Sequence, residues 1–175
     1  MPRGRVKVYL DNVIASARIR DDLASPEERK AFKLIQEHHN FGKLEIVTSR
    51  ESWREQERTR NAEAREELRA SRDKTPVVSH DHRLLGFNSV DLGYRGFISS
   101  PLITDIVDEA MFSGLQAAGL KSADARHMMY AICNDCVRFV TTDPDFLDRR
   151  TVIDAAYPSI RIVKPSELLQ QMDNF

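Results

Sequence analysis

The sequence has few of the features that secreted or membrane proteins require. It contains two cysteines, which cannot form a disulfide framework and therefore favour a reducing compartment. Its longest apolar run, residues 128–133, is about six residues, whereas a membrane-spanning helix needs roughly 18 or more. The amino-terminal residues reach Asp11 within one strand length and lack the apolar stretch of a signal peptide. We therefore expect a cytoplasmic protein with no membrane segment.

The chain also lacks an excess of charge of either sign. Lys and Arg total 26 against 27 Asp and Glu, a formal net charge of −1 at pH 7. This balance excludes a polybasic RNA-coating protein and a protein dominated by an acidic tail, because both require an excess of charge of one sign that this chain lacks. A length of 175 residues with 41% hydrophobic residues is typical of one domain with its own core. Any contact with nucleic acid is therefore expected to be local.

Segments typical of strands and of helices alternate along the whole chain. This alternation predicts an α/β fold, a three-layer sandwich in which helices flank a central, largely parallel, twisted sheet. Ser25 before a proline and two glutamates predicts a helix start, and Ser122 is predicted to cap a later helix. The predicted strands are residues 6–10, 44–48, 137–141 and 160–163, and the predicted helices are residues 26–39, 50–72, 101–118, 122–134 and a short one from Pro165.

Residues 76–100 are the least regular part of the sequence. They hold three glycines among scattered aromatic residues, and we predict an irregular insertion within a single domain that spans residues 1–175. The insertion contains His80-Asp81-His82, which has the composition of a metal site without a helical or strand frame. We interpret it as a surface turn, with a substrate-contacting loop as the alternative.

Three aspartates fall at equivalent places in the alternation. Asp11 directly follows the first predicted strand, Asp143 follows the strand at residues 137–141, and Asp124 lies in the first turn of the helix before that strand. The carboxyl ends of parallel strands share one edge of a sheet, where ligands bind, so Asp11 and Asp143 are expected to face one cleft. A fourth carboxylate is expected from Glu51 or Glu55, which stand four residues apart on one helix face.

Carboxylates crowded into one cleft repel one another and become protonated unless a cation neutralises them. Hard oxygen ligands suit Mg²⁺ or Mn²⁺, ions that also bind phosphate oxygens. Such an ion lowers the pKa of an attacking water and stabilises negative charge on the leaving oxygen. The acids therefore indicate hydrolysis of a phosphodiester.

Each acid alone also has a structural explanation. Asp143 before a proline is a good N-cap, Asp124 in a first turn suits the helix dipole, and Glu55 fits a capping box that begins at Ser52. Asp11 stands at a strand end, where capping does not explain it. The set taken together therefore favours a metal site.

Other chemistry-bearing residues have weaker functional interpretations. Cys133 and Cys136 form a CxxC at a helix end without the second pair that zinc needs, so we predict two buried, inert cysteines. His127 lies one turn after Asp124, which favours packing or support of a ligand over direct ligation. The residues that are candidates for contacting RNA phosphates or bases are Arg54, Arg58, Arg65, Trp53 and Phe87.

Three motifs together resemble the PIN domain in order and spacing. They are Tyr9-Leu10-Asp11-Asn12-Val13, Ser122-Ala123-Asp124-Ala125-Arg126-His127 with Ala131, and Phe139-Val140-Thr141-Thr142-Asp143-Pro144-Asp145-Phe146. The resemblance extends from Val6 to Leu168, and the family is typified by the VapC-type toxin ribonucleases.

The resemblance implies a metal-dependent, single-strand-selective ribonuclease whose acidic set carries over to Asp11, Asp124 and Asp143. The glutamate of the family lies about six residues past a serine at the end of the second strand, which from Ser49 points to Glu55, with Glu51 in reserve. By the same resemblance, Asp145 is a peripheral or water-mediated metal ligand. A hydroxyl of Thr141 or Thr142 is expected to orient a metal-bound water.

The expected function is thus a PIN-fold endoribonuclease that uses Mg²⁺ or Mn²⁺ on single-stranded or structured RNA. The resemblance implies 5′-phosphate and 3′-hydroxyl products, an antitoxin partner if the protein is a toxin of a type II pair, and a homodimer. A stand-alone RNA-processing nuclease and a catalytically degenerate PIN scaffold that binds RNA or protein are the alternatives. A phosphatase with Asp11 as nucleophile is disfavoured, because it needs a second aspartate where Val13 stands. The four predicted catalytic residues are Asp11, Glu55, Asp124 and Asp143.

Overall fold

The structure is a computed structural model that describes residues 5–20, 23, 25–58, 61–72, 77 and 108–172. Strands and helices alternate along these residues, as predicted. In chain order the elements are β1 (Val6–Leu10), α1 (Asn12–Arg20), α2 (Pro26–Asn40), β2 (Leu44–Val47), α3 (Arg50–Glu57), α4 (Ala62–Arg72), α5 (Glu109–Ala117), α6 (Ser122–Cys133), β3 (Arg138–Val140), α7 (Pro144–Leu147), α8 (Arg150–Ala156), β4 (Arg161–Val163) and α9 (Pro165–Met172).

The four strands form an all-parallel sheet in the order β2-β1-β3-β4. The central strand β1 has β2 on one side and β3 on the other, so Tyr9 lies between Val47 and Phe139. The chain therefore winds first to one side of β1 and later to the other. In open parallel sheets, ligands bind beyond the carboxyl ends of the strands where this reversal occurs, which here is between β1 and β3.

Side chains of the strands alternate between two cores, one on each face of the sheet. Tyr9 and Phe139 pack with buried residues of α5, α6, α7 and α8. Val8, Leu10 and Val140 pack on the opposite face with residues of α1, α2 and α9. This alternation follows from the two-residue period of a strand. The described residues thus form an α/β fold in which helices cover both faces of a parallel sheet, which confirms the predicted fold class.

Several predicted element boundaries are wrong. The helix predicted at residues 50–72 is two helices, α3 and α4. Ser122 does not cap α6 but is its first residue, and Lys121 occupies the cap position without a side-chain hydrogen bond. Helix α1 was not predicted, because it begins directly after β1 with no turn residues between them. By contrast, Ser25 caps α2 as predicted, since its side chain accepts a hydrogen bond from the Glu28 N–H.

The predicted insertion lies almost entirely outside the described residues, as do the motif at residues 80–82 and the first part of the helix predicted at residues 101–118. Val77 is described and forms a parallel bridge with Thr48, just beyond the end of β2. The described part of the later helix begins at Glu109, after Asp108 caps it by accepting a hydrogen bond from the Met111 N–H. Among the helices that the structure places, none has the length and hydropathy needed to span a lipid bilayer.

A buried carboxylate joins α2 to α9 on one face of the sheet. Glu28 Oε2 accepts the Ser166 N–H at 2.9 Å, and Oε1 accepts the Ser166 hydroxyl at 2.7 Å. Ser166 is the second residue of α9, where backbone N–H groups have no partner within the helix. Glu28 therefore stabilises the start of α9 from a neighbouring helix.

Replacing Glu28 with alanine leaves two partly buried donors on Ser166 without their acceptor. We expect Glu28→Ala to lower the free energy of unfolding by about 1–3 kcal/mol. The matched control is Glu27→Ala, which removes an exposed carboxylate from the same helical turn and is expected to change it by less than about 0.5 kcal/mol. Urea unfolding monitored by circular dichroism measures both, and equal effects would contradict the account of Glu28.

Candidate active site

Asp11 is buried where β1 ends and α1 begins. Its carbonyl accepts the Ala15 N–H at 2.9 Å, so Asp11 directly precedes the first turn of α1. Asp11 Oδ1 accepts the Asn12 N–H at 2.7 Å, and Oδ2 accepts the Thr141 hydroxyl at 2.7 Å. Burial raises the pKa of Asp11 to about 6, although the positive charge of His127 and the Thr141 hydrogen bond act in the opposite direction.

Thr141 connects Asp11 to Asp143 at the carboxyl edge of the sheet. It directly follows β3, and its hydroxyl both donates to Asp11 and accepts the Asp143 N–H at 2.9 Å. The Asp143 carboxylate then accepts the Asp145 N–H at 2.8 Å and caps the short helix α7. The structure thus brings Asp11 and Asp143 to one edge, as the sequence analysis expected, and joins them through a buried hydroxyl.

Asp124 adds a third carboxylate from the first turn of α6. Burial raises the pKa of this half-buried acid, and the negative charges of Asp143 and Glu55 raise it further. Asp124 therefore lies within electrostatic reach of both. We call the set Asp11, Glu55, Asp124 and Asp143 the acidic crevice.

A buried histidine lies between the acidic crevice and the sheet. His127 Nδ1 is 2.6 Å from the Tyr9 hydroxyl, which donates to Ser49 Oγ at 2.5 Å. His127 Nε2 is 3.2 Å from Glu55 Oε2, an ion-pair contact not aligned as a hydrogen bond. Burial by itself lowers the pKa of His127, but Glu55 and then Asp11 raise it, and the net shift is upward. Because Tyr9 gives its hydrogen to Ser49, an imidazolium satisfies Tyr9 and Glu55 together.

Of the two candidate glutamates, Glu55 belongs to the crevice. Glu51 is only 2% exposed, and its two oxygens lie 3.3 Å from Arg54 Nη1 and 3.5 Å from Arg126 Nη1. Two arginines therefore neutralise Glu51. Glu55, by contrast, contacts His127 and influences the pKa of both Asp11 and Asp124.

The capping-box interpretation of Glu55 is wrong. Ser49, not Ser52, occupies the N-cap of α3. Ser52 lies within the helix, where its Oγ accepts the Thr48 hydroxyl at 2.8 Å. The side chain of Glu55 is thus directed to the crevice and not to the start of its own helix.

Asp145, the fifth expected acid, is held by two cations. Lys121 Nζ lies 2.5 Å from Asp145 Oδ2, and Arg149 Nη1 lies 3.5 Å from Oδ1. The Lys121 hydrogen bond and charge lower the pKa of Asp145. This carboxylate is therefore compensated by lysine and arginine side chains, whereas Asp11, Asp124 and Asp143 form no such pair among the described residues.

The acidic crevice fits a divalent cation in its chemistry. Its donors are hard carboxylate oxygens, and burial together with mutual repulsion raises the pKa of Asp11 and Asp124. Within the residues the structure describes, no lysine or arginine forms an ion pair with Asp11, Asp124 or Asp143, and no three His, Cys, Asp or Glu side chains are grouped to hold one ion. Ligation of one ion by three of these acids therefore requires their side chains to reorient.

The roles of Tyr9 and Ser49 are not predicted from the sequence. A tyrosine inside an apolar strand is the available signal, because a buried hydroxyl needs a hydrogen-bond partner. The prediction of two buried cysteines is half wrong, since Cys136 is buried and Cys133 is exposed. Burial raises the pKa of Cys136 to about 12 and that of Cys133 as well, so both thiols are protonated at neutral pH. The side chain of Trp53 and all of Phe87 lie outside the described residues.

No protein-family model, curated protein or solved structure matches the chain. Function is therefore inferred from the geometry of the acidic crevice.

The raised pKa of Asp11 predicts a pH-dependent stability. A carboxyl group whose pKa is higher in the folded state contributes its stability fully below the unfolded value of 3.8 and loses it as the pH rises through about 6. In EDTA, the free energy of unfolding of the wild type should therefore fall between about pH 4 and pH 7 by about 3 kcal/mol more than that of Asp11→Asn.

Urea titrations at a series of pH values measure this difference. Asp148→Asn, which neutralises an exposed aspartate, is the control and should follow the wild type. If the free energy of unfolding changed with pH equally in the wild type and in Asp11→Asn, the pKa of Asp11 would not be raised by burial.

Proposed function

We propose that the protein is a metal-dependent ribonuclease with a PIN-like fold that hydrolyses RNA phosphodiester bonds. The observation that carries the proposal is the position of Asp11 and Asp143. Thr141 joins them by hydrogen bonds at the carboxyl ends of β1 and β3, where the strand order reverses. Glu55 and Asp124 add charge at the same place. A crevice of buried, mutually repelling carboxylates is most stable when a cation occupies it.

Asp11, Glu55, Asp124 and Asp143 would hold Mg²⁺ or Mn²⁺, which supplies a water of lowered pKa and neutralises charge on the phosphoryl group. Neighbouring residues hold two of these acids at the edge of the sheet. Thr141 donates to Asp11 Oδ2, and Asp143 Oδ1 accepts the N–H two residues later. Both carboxylates would turn from these contacts toward a bound ion. No side chain is required as a nucleophile.

RNA as the substrate, with 5′-phosphate and 3′-hydroxyl products, rests on the resemblance of the three motifs to the PIN family. Within that proposal the protein is either a toxin restrained by an antitoxin or a stand-alone processing nuclease, and it acts as a homodimer. Growth arrest on induced expression, relieved by the product of a neighbouring reading frame, distinguishes the toxin.

A catalytically degenerate scaffold that binds RNA or protein is the second candidate. The observation that favours it is that, among the described residues, no three potential ligands are grouped around one point. The observation against it is that the buried Asp11 carboxylate has no lysine or arginine partner among the described residues, a cost that a binding module has no need to retain.

Substitution of the two glutamates tests which one belongs to the crevice. Glu55→Gln should lower the cleavage rate of labelled single-stranded RNA by about a hundredfold or more in the folded protein, because it removes a charge that balances the cation. Glu51→Gln should instead lower the melting temperature, because it leaves Arg54 and Arg126 without their buried partner, while the folded protein still cleaves. The reverse pattern would assign the site to Glu51.

Removal of divalent cations tests the chemistry itself. Excess EDTA should abolish cleavage reversibly, and Mn²⁺ or Mg²⁺ should restore it in the wild type. A folded variant with Asp11→Asn, Asp124→Asn and Asp143→Asn combined should remain inactive after the metal is restored. Full activity in excess EDTA, or in the folded triple variant, would rule out the proposed function.

A further inference from the structure

Two cations from different elements converge on one carboxylate beside the acidic crevice. Lys121 occupies the cap position of α6, and Arg149 directly precedes α8. Asp145 forms an ion pair with Lys121 through Oδ2 and with Arg149 through Oδ1. Lys121 is 77% exposed at the side chain, so the cluster opens to solvent. The cluster carries two positive charges and one negative charge. One positive charge is therefore left over.

This cluster lies at the rim of the crevice. Asp145 follows Asp143 by two residues, and Lys121 precedes Asp124 by three. Asp145 raises the pKa of Lys121 most, and the charges of Asp124 and Asp143 raise it further. Lys121 therefore lies within electrostatic reach of both Asp124 and Asp143. We call Lys121, Asp145 and Arg149 the rim cluster.

The guanidinium of Arg149 is held in place by the backbone around it. Arg149 Nη1 donates to the Asp145 carbonyl at 2.7 Å. Its side chain also lies against Gly119, where an added Cβ would come within 2.6 Å of Arg149 Nε. Gly119 has a φ of +97°, a conformation that glycine adopts without strain. Because Gly119 has no side chain, the Arg149 side chain can pack against it.

A polyanionic substrate needs cations at the entrance of an acidic site, because the acids repel it. The arginines on the α3 side of the crevice, Arg54 and Arg126, contact the buried Glu51. The ion pairs of the rim cluster are partly exposed, and such pairs contribute little to stability, so a ligand exchanges with them easily. A phosphate offers two oxygens in place of the two of Asp145, and it accepts charge-assisted hydrogen bonds from lysine and arginine.

We propose that Lys121 and Arg149 form a subsite for a backbone phosphate of the RNA, and that Asp145 holds both cations in position until the phosphate displaces it. This inference rests on the proposed ribonuclease function. It assigns to Asp145 a role different from that of a metal ligand.

RNA binding in EDTA tests the subsite without catalysis. The probes are fluorescein-labelled oligouridine and oligoadenine of equal length, followed by fluorescence anisotropy. Lys121→Gln with Arg149→Gln should weaken the binding of both probes by about tenfold, because a phosphate contact carries no base information. The slope of log K against log salt should fall in magnitude by about 0.7, the value for one phosphate of a single strand.

The matched control is Lys43→Gln with Arg161→Gln, which removes the same charge at the amino-terminal ends of the strands, away from the acidic crevice. Lys43 precedes β2 and is exposed, and Arg161 begins β4. Arg161 also pairs with an aspartate, Asp154, and donates to its carbonyl at 3.0 Å, as Arg149 does with Asp145. This variant should bind both probes as the wild type does. Equal loss in the two double variants would overturn the subsite.

Asp145→Asn separates the subsite from metal ligation. The variant should bind RNA about threefold more tightly, because the phosphate no longer displaces a charged competitor, whereas Asp154→Asn should not. Binding of Mn²⁺ measured by calorimetry should be unchanged in Asp145→Asn, and a loss of Mn²⁺ binding would overturn the proposal. A wild type that binds no RNA in EDTA would remove the subsite, and one that also cleaves no RNA once Mn²⁺ is restored would remove the ribonuclease as well. A rim variant that binds RNA like the control, in a wild type that still cleaves, would remove only the subsite.

Discussion

Burial of one carboxylate, that of Asp11 at the end of the central strand, sets the electrostatics of the acidic crevice. Burial of a carboxylate is unfavourable, and the Asn12 N–H and the Thr141 hydroxyl offset only part of the cost, so the pKa of Asp11 remains raised to about 6. The parallel pairing of β1 with β3 is what brings Thr141 to Asp11. The same pairing places Asp143 at the edge where the strand order reverses. Among the described residues, no lysine or arginine forms an ion pair with Asp11.

Charges of opposite sign are separated around this point in the described part of the chain. Carboxylates without arginine or lysine partners line the crevice, whereas Glu51 behind it is neutralised by Arg54 and Arg126. His127 contacts Glu55 of the crevice through Nε2, and its Nδ1 lies 2.6 Å from the Tyr9 hydroxyl. This arrangement suits a cation that arrives from solvent together with an anionic substrate.

The sequence predicted what local patterns determine and missed what distant contacts determine. The apolar runs located the strands, and the parallel topology then placed Asp11 and Asp143 at one edge. The contact of Tyr9 with His127 joins residues 118 positions apart, which no local pattern reveals. The resemblance pointed to Glu55 with Glu51 in reserve, but only the structure shows that Arg54 and Arg126 contact Glu51. The predicted capping by Ser122 failed because a serine inside the first turn and one at the cap look alike in sequence.

The most direct test of the central claim is a crystal soaked in Mn²⁺ and examined by anomalous scattering. The account predicts an anomalous peak within coordination distance of Asp11, Asp124 and Asp143, with the side chains turned toward it. A well-ordered crystal with no peak there, or with Mn²⁺ bound only elsewhere, would contradict the assignment of the acidic crevice as a metal centre.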